Sequence, residues 1–207
     1  MVCSLKNEAR LRALGYTAPA GIDEAGRGCL FGPVTAAAVI LPDPCKIRGL
    51  RDSKIVPPAE RARLAERLKG EAISWAIGFA SVAEIDAINI LEASRLAMLR
   101  AVNALSPQPD FLLIDAIRIE SHIPQQSIIH GDAISRSIAA ASILAKVERD
   151  RVLDNFHAKY PVYHLASNKG YGTRDHLAAL QLHGPTPQHR ATFAPVRNII
   201  EARRNNQ

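Results

Sequence analysis

The stretch APAGIDEAGRGCLFGPVTAAAVIL, residues 18–41, decides most of the fold. Ala18–Glu24 and Val34–Leu41 are short apolar runs separated by Gly26, Gly28, Gly32 and Pro33, the pattern of two consecutive strands joined by a turn. Further along, Pro57-Pro58 opens an amphipathic helix over Ala59–Lys69, with Leu64 and Leu68 four apart. Ser74–Val82 reads as a third strand. Ala83–Leu105 reads as a helix, with Ile85, Ile88, Leu91, Leu96 and Leu99 on a helical period. Asp110–Asp115 has the character of a buried strand ending in a carboxylate, and Gln126–Gly131 of another short strand. Helices are expected over Ile134–Tyr160 and Arg174–His183, ordered loops over 161–173 and 184–198, and a frayed polar end at Glu201–Gln207. Strands first, then strands alternating with helices, predict an α/β fold: a mixed sheet with helical additions at the C-terminus.

Composition narrows the function classes. The 207 residues suit one domain and a sizeable core, and 47% hydrophobic with 22% charged residues excludes a disordered or fibrous chain. The longest apolar runs, around Val34–Leu41 and Ile138–Ala145, fall far short of the ~20 residues of a membrane span. The first residues carry Lys6, Glu8, Arg10 and Arg12, without the apolar segment of a secretory signal. Cys3, Cys29 and Cys45 are odd in number and widely spaced. They predict reduced thiols in a cytoplasmic setting, and they form no zinc pattern. The net charge of +6 is uneven, because residues 146–207 hold 10 basic and 5 acidic side chains. Such a segment is either a polyanion-binding element or solvated surface.

The chemistry-bearing residues are acids at the ends of apolar runs. Asp23 and Glu24 close the first strand, Asp115 closes Phe111–Ile114, and Asp132 follows Ile128-Ile129. Each has an ordinary alternative: a solvated turn for the pair, a turn or cap for Asp115, a helix N-cap for Asp132. Neighbouring strand residues point to opposite faces, so Asp23 and Glu24 share a target only if the strand ends or kinks there. Four acids at such ends are better explained together, as hard oxygen ligands for Mg²⁺ or Mn²⁺. Two divalent ions roughly 4 Å apart stabilise both the attacking and leaving oxygens of a phosphodiester. Gly26-Arg27-Gly28 offers a close-approach anion nest, or a plain turn. Tyr171, between Gly170 and Gly172, is a stacking ring or a packed one. Lys146, Arg149 and Arg151 can reach phosphates or remain solvated. The Ala and Ser residues packed into Ser135–Asp150 let a helix approach its neighbours closely.

Taken in order, GIDEAGRG (21–28), GP (32–33), GLRDSK (49–54), LLIDA (112–116) and GDAISRSIAAASILAKVERD (131–150) resemble the type 2 ribonuclease H family, ribonuclease HII. NKGYGT (168–173), His176 and HGPTPQHRATFAPV (183–196) extend the resemblance over nearly the whole chain. It implies an RNase H-like fold with a mixed five-stranded sheet flanked by helices. The catalytic core would span residues 1–160 and a C-terminal helical module residues 161–207. It implies a four-acid centre at Asp23, Glu24, Asp115 and Asp132 that binds Mg²⁺ or Mn²⁺, two ions once substrate is present. Gly26, Arg27 and Gly28 would read the ribose 2′-OH and phosphates, and Tyr171 would stack on the following deoxyribose. Ser53, Lys54 and Lys146 would be further substrate contacts. The implied activity is endonucleolytic cleavage of RNA–DNA hybrids, including incision 5′ to a single ribonucleotide in duplex DNA. That incision leaves 3′-OH and 5′-phosphate ends, the chemistry of ribonucleotide excision repair, performed by a monomer without a membrane. About 20 residues precede Asp23, which favours type 2 over type 3. Asn168 stands where many members carry His, Ala116-Ile117 where Gly-Asn is frequent, and Ile55–Pro58 replaces the usual continuation after the DSK block. A DNA nuclease on the same fold and a non-catalytic nucleic-acid-binding module are the competing readings.

Overall fold

A computed structural model describes residues 3–205. Its five strands lie in the order β3-β2-β1-β4-β5. β1 (Pro19–Ala25), β2 (Val34–Ile40) and β3 (Ser74–Ala80) form an antiparallel meander. β4 (Phe111–Asp115) and β5 (Gln125–Ile128) run parallel to β1 on its other side. The sheet is therefore mixed, as expected for an RNase H-like fold. β2 is buried along its whole length and reads VTAAAVI, small and β-branched residues suited to a strand covered on both faces.

The two faces are covered by different helices. α3 (Val82–Asn103) packs with Ala20, Ile22, Ala36, Ala38, Leu112 and Ile114 on one face. It is capped by Ser81 and Glu84 in a reciprocal box and broken once, at Asn89, where φ is +69°. α2 (Pro58–Glu71) and α5 (Arg136–Lys159) cover the other face, over Ala37, Val39 and Leu41. The alanine-rich start of α5 allows contact at backbone distance. A Cβ on Gly21 would fall 2.0 Å from the Ser137 carbonyl carbon, so β1 and α5 touch only because residue 21 is glycine. The small-residue reading of this helix therefore holds.

Several boundaries differ from the sequence expectation. The helix expected over Ile134–Tyr160 begins later, as α5 at Arg136, and is separated from a short α4 (Gly131–Ile134) by Ser135, which is extended and whose Oγ accepts from the Ile138 N–H at 3.3 Å. An N-terminal helix, α1 (Lys6–Ala13), was not expected. It is anchored by Glu8, whose buried Oε1 accepts from the Ser135 and Ser137 hydroxyls at 2.6 and 2.7 Å and from the Ser137 N–H at 3.0 Å. The carboxylate thus meets the N-terminus of α5, where the helix dipole favours it. The loop expected over 161–173 contains a 3-10 turn (Pro161–Tyr163) and α6 (Leu165–Asn168). α7 (Arg174–His183) matches its expectation. The frayed end is corrected to a helix, α8 (Ala194–Asn205), which also takes the last part of the loop expected over 184–198. Asn206 and Gln207, the rest of that expected frayed end, lie outside the described residues. Phe31, Leu153, Tyr163, Leu165, Leu180 and Val196 form a separate apolar cluster that ties the C-terminal helices to α5 and to the segment after the first turn. No described helix is long and apolar enough to cross a membrane. All three cysteines are free.

Candidate active site

β1 and β4 run parallel, and their pairing ends at Ile22 with Ile114. The next residues on the two strands are Asp23 and Asp115, so both acids leave the sheet at one edge. Ile22 and Ile114 pack toward α3, which by strand alternation turns Asp23 and Asp115 toward α5. Glu24 lies on the opposite side of a strand that stays regular through Ala25. It still reaches the same cavity from the strand end, so no kink is needed for the pair to meet.

That cavity, of about 190 Å³, gathers Asp23, Glu24, Asp115, Gly26, Arg27, Gly28, Ser53, Lys54, Lys146 and Tyr171. Ten of the eleven site residues that the family resemblance implies therefore meet in one place, and Arg149, expected to reach phosphates or stay solvated, is buried beside them. Asp132 does not line it. It is buried in the first turn of α4, with Oδ2 3.9 Å from the Lys54 ammonium. It is not the N-cap of the long helix, a position held by Ser135. Asp115 braces the same turn, its Oδ1 accepting from the Gly131 N–H at 2.7 Å. Asp115 is followed by Ala116 at φ +55°, a conformation that favours glycine.

Electrostatics mark the acids as crowded. Burial, then the charges of Glu24 and Asp115, push the Asp23 carboxyl well above the usual range. Burial also raises Glu24, with Arg27 opposing it through a 3.3 Å ion pair. Asp132 is raised by burial and by Asp52 and Asp115. Lys54 is held protonated against its own desolvation by Asp52, Asp132, Asp23 and Asp115. Glu24 Oε2 is buried with no partner. Among the described residues, no three acid, histidine or cysteine side chains stand close enough to form a metal-binding cluster as they are. The donor chemistry nevertheless suits a hard divalent cation: carboxylate oxygens only, one of them orphaned, and protonation favoured when no cation offsets the repulsion.

α5 forms one wall. Ser142, Lys146 and Arg149 lie on one helical face by their spacing of four and three. The Ser142 hydroxyl donates to Ser53 Oγ at 2.8 Å, and Lys146 pairs with Asp150 at 2.6 Å. Tyr171 is 47% exposed, which favours an available ring over a packed one. Asn168 supports its loop by accepting from the Gly170 N–H at 2.8 Å and donating to the Tyr163 carbonyl at 2.6 Å.

Behind Tyr171 lies a buried pair of histidines, His176 and His189. The Thr186 N–H points at His189 Nδ1 (2.9 Å), so the neutral ring of His189 carries its proton on Nε2. His189 Nε2 meets His176 Nε2 at 3.2 Å, and His176 Nδ1 meets the Tyr171 carbonyl at 2.8 Å. Only one assignment satisfies all three contacts: His189 donates to His176, and His176 donates to Tyr171. Arg149 and Arg190 are likewise fully buried, against the solvated role usual for arginine. The spacing of Ser142, Lys146 and Arg149 was the available signal for α5. His176, His189 and Arg190 lay in the blocks that carry the family resemblance, but no local pattern marked them as buried.

Known proteins with the same features are numerous. A family model described as Ribonuclease HII matches residues 20–196. The chain is 53% identical over 198 residues to ribonuclease HII of Desulfitobacterium hafniense, covering 95% of this chain and 76% of that protein. It is 51% identical over 195 residues to ribonuclease HII of Solibacter usitatus, covering 94% and 86%. Among solved structures, the ribonuclease H2 of Pyrococcus horikoshii superposes with TM-score 0.75 at 25% identity, over 92% of this chain and all of that one. An RNase HIII solved in complex with Mn²⁺ shares the fold at TM-score 0.67 and 17% identity, over 91% and 70%. With the family model spanning β1 to α8 and about half of the residues identical to the curated relatives, the chain belongs to the ribonuclease HII family of endoribonucleases that degrade RNA in RNA–DNA hybrids.

Proposed function

We propose that the protein is a divalent-metal-dependent endonuclease that incises duplex DNA on the 5′ side of single embedded ribonucleotides, as well as cutting longer hybrids. The incision would leave 3′-OH and 5′-phosphate ends. The observation that carries this reading is the meeting of Asp23, Glu24 and Asp115 with Gly26–Gly28 and Tyr171 in one cavity. A hydrolytic centre and a sugar-reading surface would then share one cavity.

Asp23, Glu24, Asp115 and Asp132 would hold Mg²⁺ or Mn²⁺, two ions with substrate bound. The cations would supply charge neutralisation of the scissile phosphate and lower the pKa of the attacking water. The crowded carboxylates position that centre, and the unpartnered Glu24 Oε2 is a free donor toward it. Lys54, already among the acids, would release Asp132 when a cation enters. The backbone of Gly26-Arg27-Gly28 can approach the ribose closely, and the 2′-OH there is what separates RNA from DNA. Tyr171 would stack on the next deoxyribose. Ser53, Lys54 and Lys146 would contact phosphates, in line with a second, arginine-rich cavity beside the same loop, lined by Arg48, Arg51 and Arg136. A single chain supplies every residue invoked, so the enzyme would act as a monomer. The core over 1–160 would do the chemistry and 161–207 the gripping. A cytoplasmic role in ribonucleotide excision repair would follow.

The test compares three labelled duplexes with Mg²⁺ or Mn²⁺: an RNA–DNA hybrid, DNA with one ribonucleotide, and DNA alone. Cleavage of the first two only is expected. Cutting of plain DNA would favour the DNA-nuclease reading, and salt-sensitive binding without turnover the non-catalytic one. Asp132→Asn should keep the fold and lose cleavage; an active variant would make Asp132 a structural residue. Tyr171→Ala should weaken discrimination of the ribonucleotide more than binding to plain duplex.

A further inference from the structure

The two surfaces assigned to sugar recognition come from distant parts of the chain, residues 26–28 and residue 171. Something must set the distance between them. The structure places one side chain against both. Arg149, on α5, donates from Nη1 to the Lys169 carbonyl at 2.8 Å and from Nη2 to the Phe31 carbonyl at 3.2 Å. Its Nε is buried without a partner, and the residue is 1% exposed. A Cβ on Gly26 would lie 1.9 Å from Arg149 Nε, and a Cβ on Gly170 would lie 3.2 Å from Arg149 Nη2. The first glycine of the turn and the glycine before Tyr171 thus both rest on the same guanidinium. Arg190 repeats the device from the C-terminal side, donating to the Arg27 carbonyl at 2.8 Å and the Gly32 carbonyl at 3.0 Å.

The hydrogen bonds that each guanidinium makes go to main-chain carbonyls rather than carboxylates, and one nitrogen of each is left without a partner. Burying a cation on such partners is costly, and a planar fork is suited to holding two carbonyls at a fixed angle in a way an ammonium is not. From this geometry we infer that Arg149 is a positioning residue of the enzyme, fixing the spacing between the Gly26–Gly28 turn and Tyr171 and so the selectivity for a ribonucleotide followed by a deoxyribonucleotide. The inference rests on the proposed roles of those two surfaces. Arg149 acts through them, since both Nη groups are engaged by main-chain carbonyls and its remaining donor, Nε, is buried.

The experiment is a double-mutant cycle on the duplex with one ribonucleotide, using Arg149→Gln, Tyr171→Ala and both together. Folding is checked by circular dichroism and melting. Arg149→Gln should raise KM about tenfold, more than it lowers kcat, through lost charge-assisted bonds to the two loops. In the Tyr171→Ala background the same substitution should change KM less than twofold. Equal effects in both backgrounds would overturn the inference. Arg149→Lys separates positioning from charge and serves if the Gln variant does not fold. It should fail like Gln, whereas full activity would mean that the charge alone matters. If Tyr171→Ala itself leaves KM and discrimination unchanged, it is the parent reading of Tyr171 that fails.

Discussion

Acidification should loosen the C-terminal support of Tyr171 through the buried histidine pair. Desolvation, with the charge of His176 adding to it and the Thr186 backbone opposing it, pushes His189 down to about 3 from an ordinary value of 6.5. His176 is lowered by burial as well. A histidine with a depressed pKa in the fold contributes stability that is fully present above 6.5 and is lost as pH falls from 6.5 toward 3, because the unfolded chain binds the proton first. Each pH unit in that window costs about 1.4 kcal/mol for one such group, so moving from pH 7.5 to 5.0 removes about 2 kcal/mol through His189. The hydrogen-bond assignment gives the structural reason. Protonated His189 would present an Nδ1–H to the Thr186 N–H 2.9 Å away, and the bond that fixes its tautomer would break. The crowded acids work in the other direction. Asp23, Glu24 and Asp132 have raised pKa values, so their protonation stabilises the metal-free fold as pH falls. The raw pH profile mixes the two, and His189→Gln separates them. The glutamine amide keeps a donor near the position of Nε2 but does not titrate. Urea unfolding at pH 7.5 and 5.0 should show the wild type losing about 2 kcal/mol more than the variant across that interval. Identical losses would refute the claim that His189 is buried in its neutral form.

Asp23→Asn should remove cleavage and yet stabilise the metal-free protein at pH 7.5 by about 1–2 kcal/mol, because it deletes a charge that burial and two carboxylates disfavour. Thermal melts would check this, and Mg²⁺ or Mn²⁺ should raise the wild-type Tm more than that of the variant. Glu8→Ala should cost about 3 kcal/mol in urea denaturation, since it strips the Ser135 and Ser137 groups of a buried acceptor and frees α1 from α5. A loss under 1 kcal/mol would mean that α1 is held by its apolar contact at Leu11 instead.

How far the sequence was legible followed from where the physical signal resides. β1, β2 and β4 are contiguous apolar runs bounded by glycine, proline or a carboxylate, and all three appear within a residue or two of their expected ends. α1 has only Glu8 and Leu11 buried in eight residues, so its periodicity was too weak to read. α8 is half polar, with Val196 alone fully buried and Ile199 and Ile200 partly so, and Pro195 in its first turn is its start signal. The acids were readable because a carboxylate at the end of an apolar run is conspicuous. Their convergence was not, since Asp23 and Asp115 meet through a parallel pairing of β1 with β4 that no local pattern specifies. Arg149, Arg190, His176 and His189 have types that are ordinarily solvated. Only the packing of α5, the first turn and the C-terminal segments makes them interior groups.

The proposed reaction is hydrolysis by a water directed at the phosphate 5′ to the ribonucleotide, with the ribose 2′-OH recognised and left intact. The ends of the nick report this directly. A duplex with one ribonucleotide, cut in Mg²⁺ or Mn²⁺, should yield an upstream strand that a polymerase extends from its 3′-OH and a downstream strand beginning with the ribonucleotide and bearing a 5′-phosphate. A nick on the 3′ side of the ribonucleotide ending in a 2′,3′-cyclic phosphate would contradict it. The 2′-OH would then be the nucleophile, and the four carboxylates would have no part in generating one.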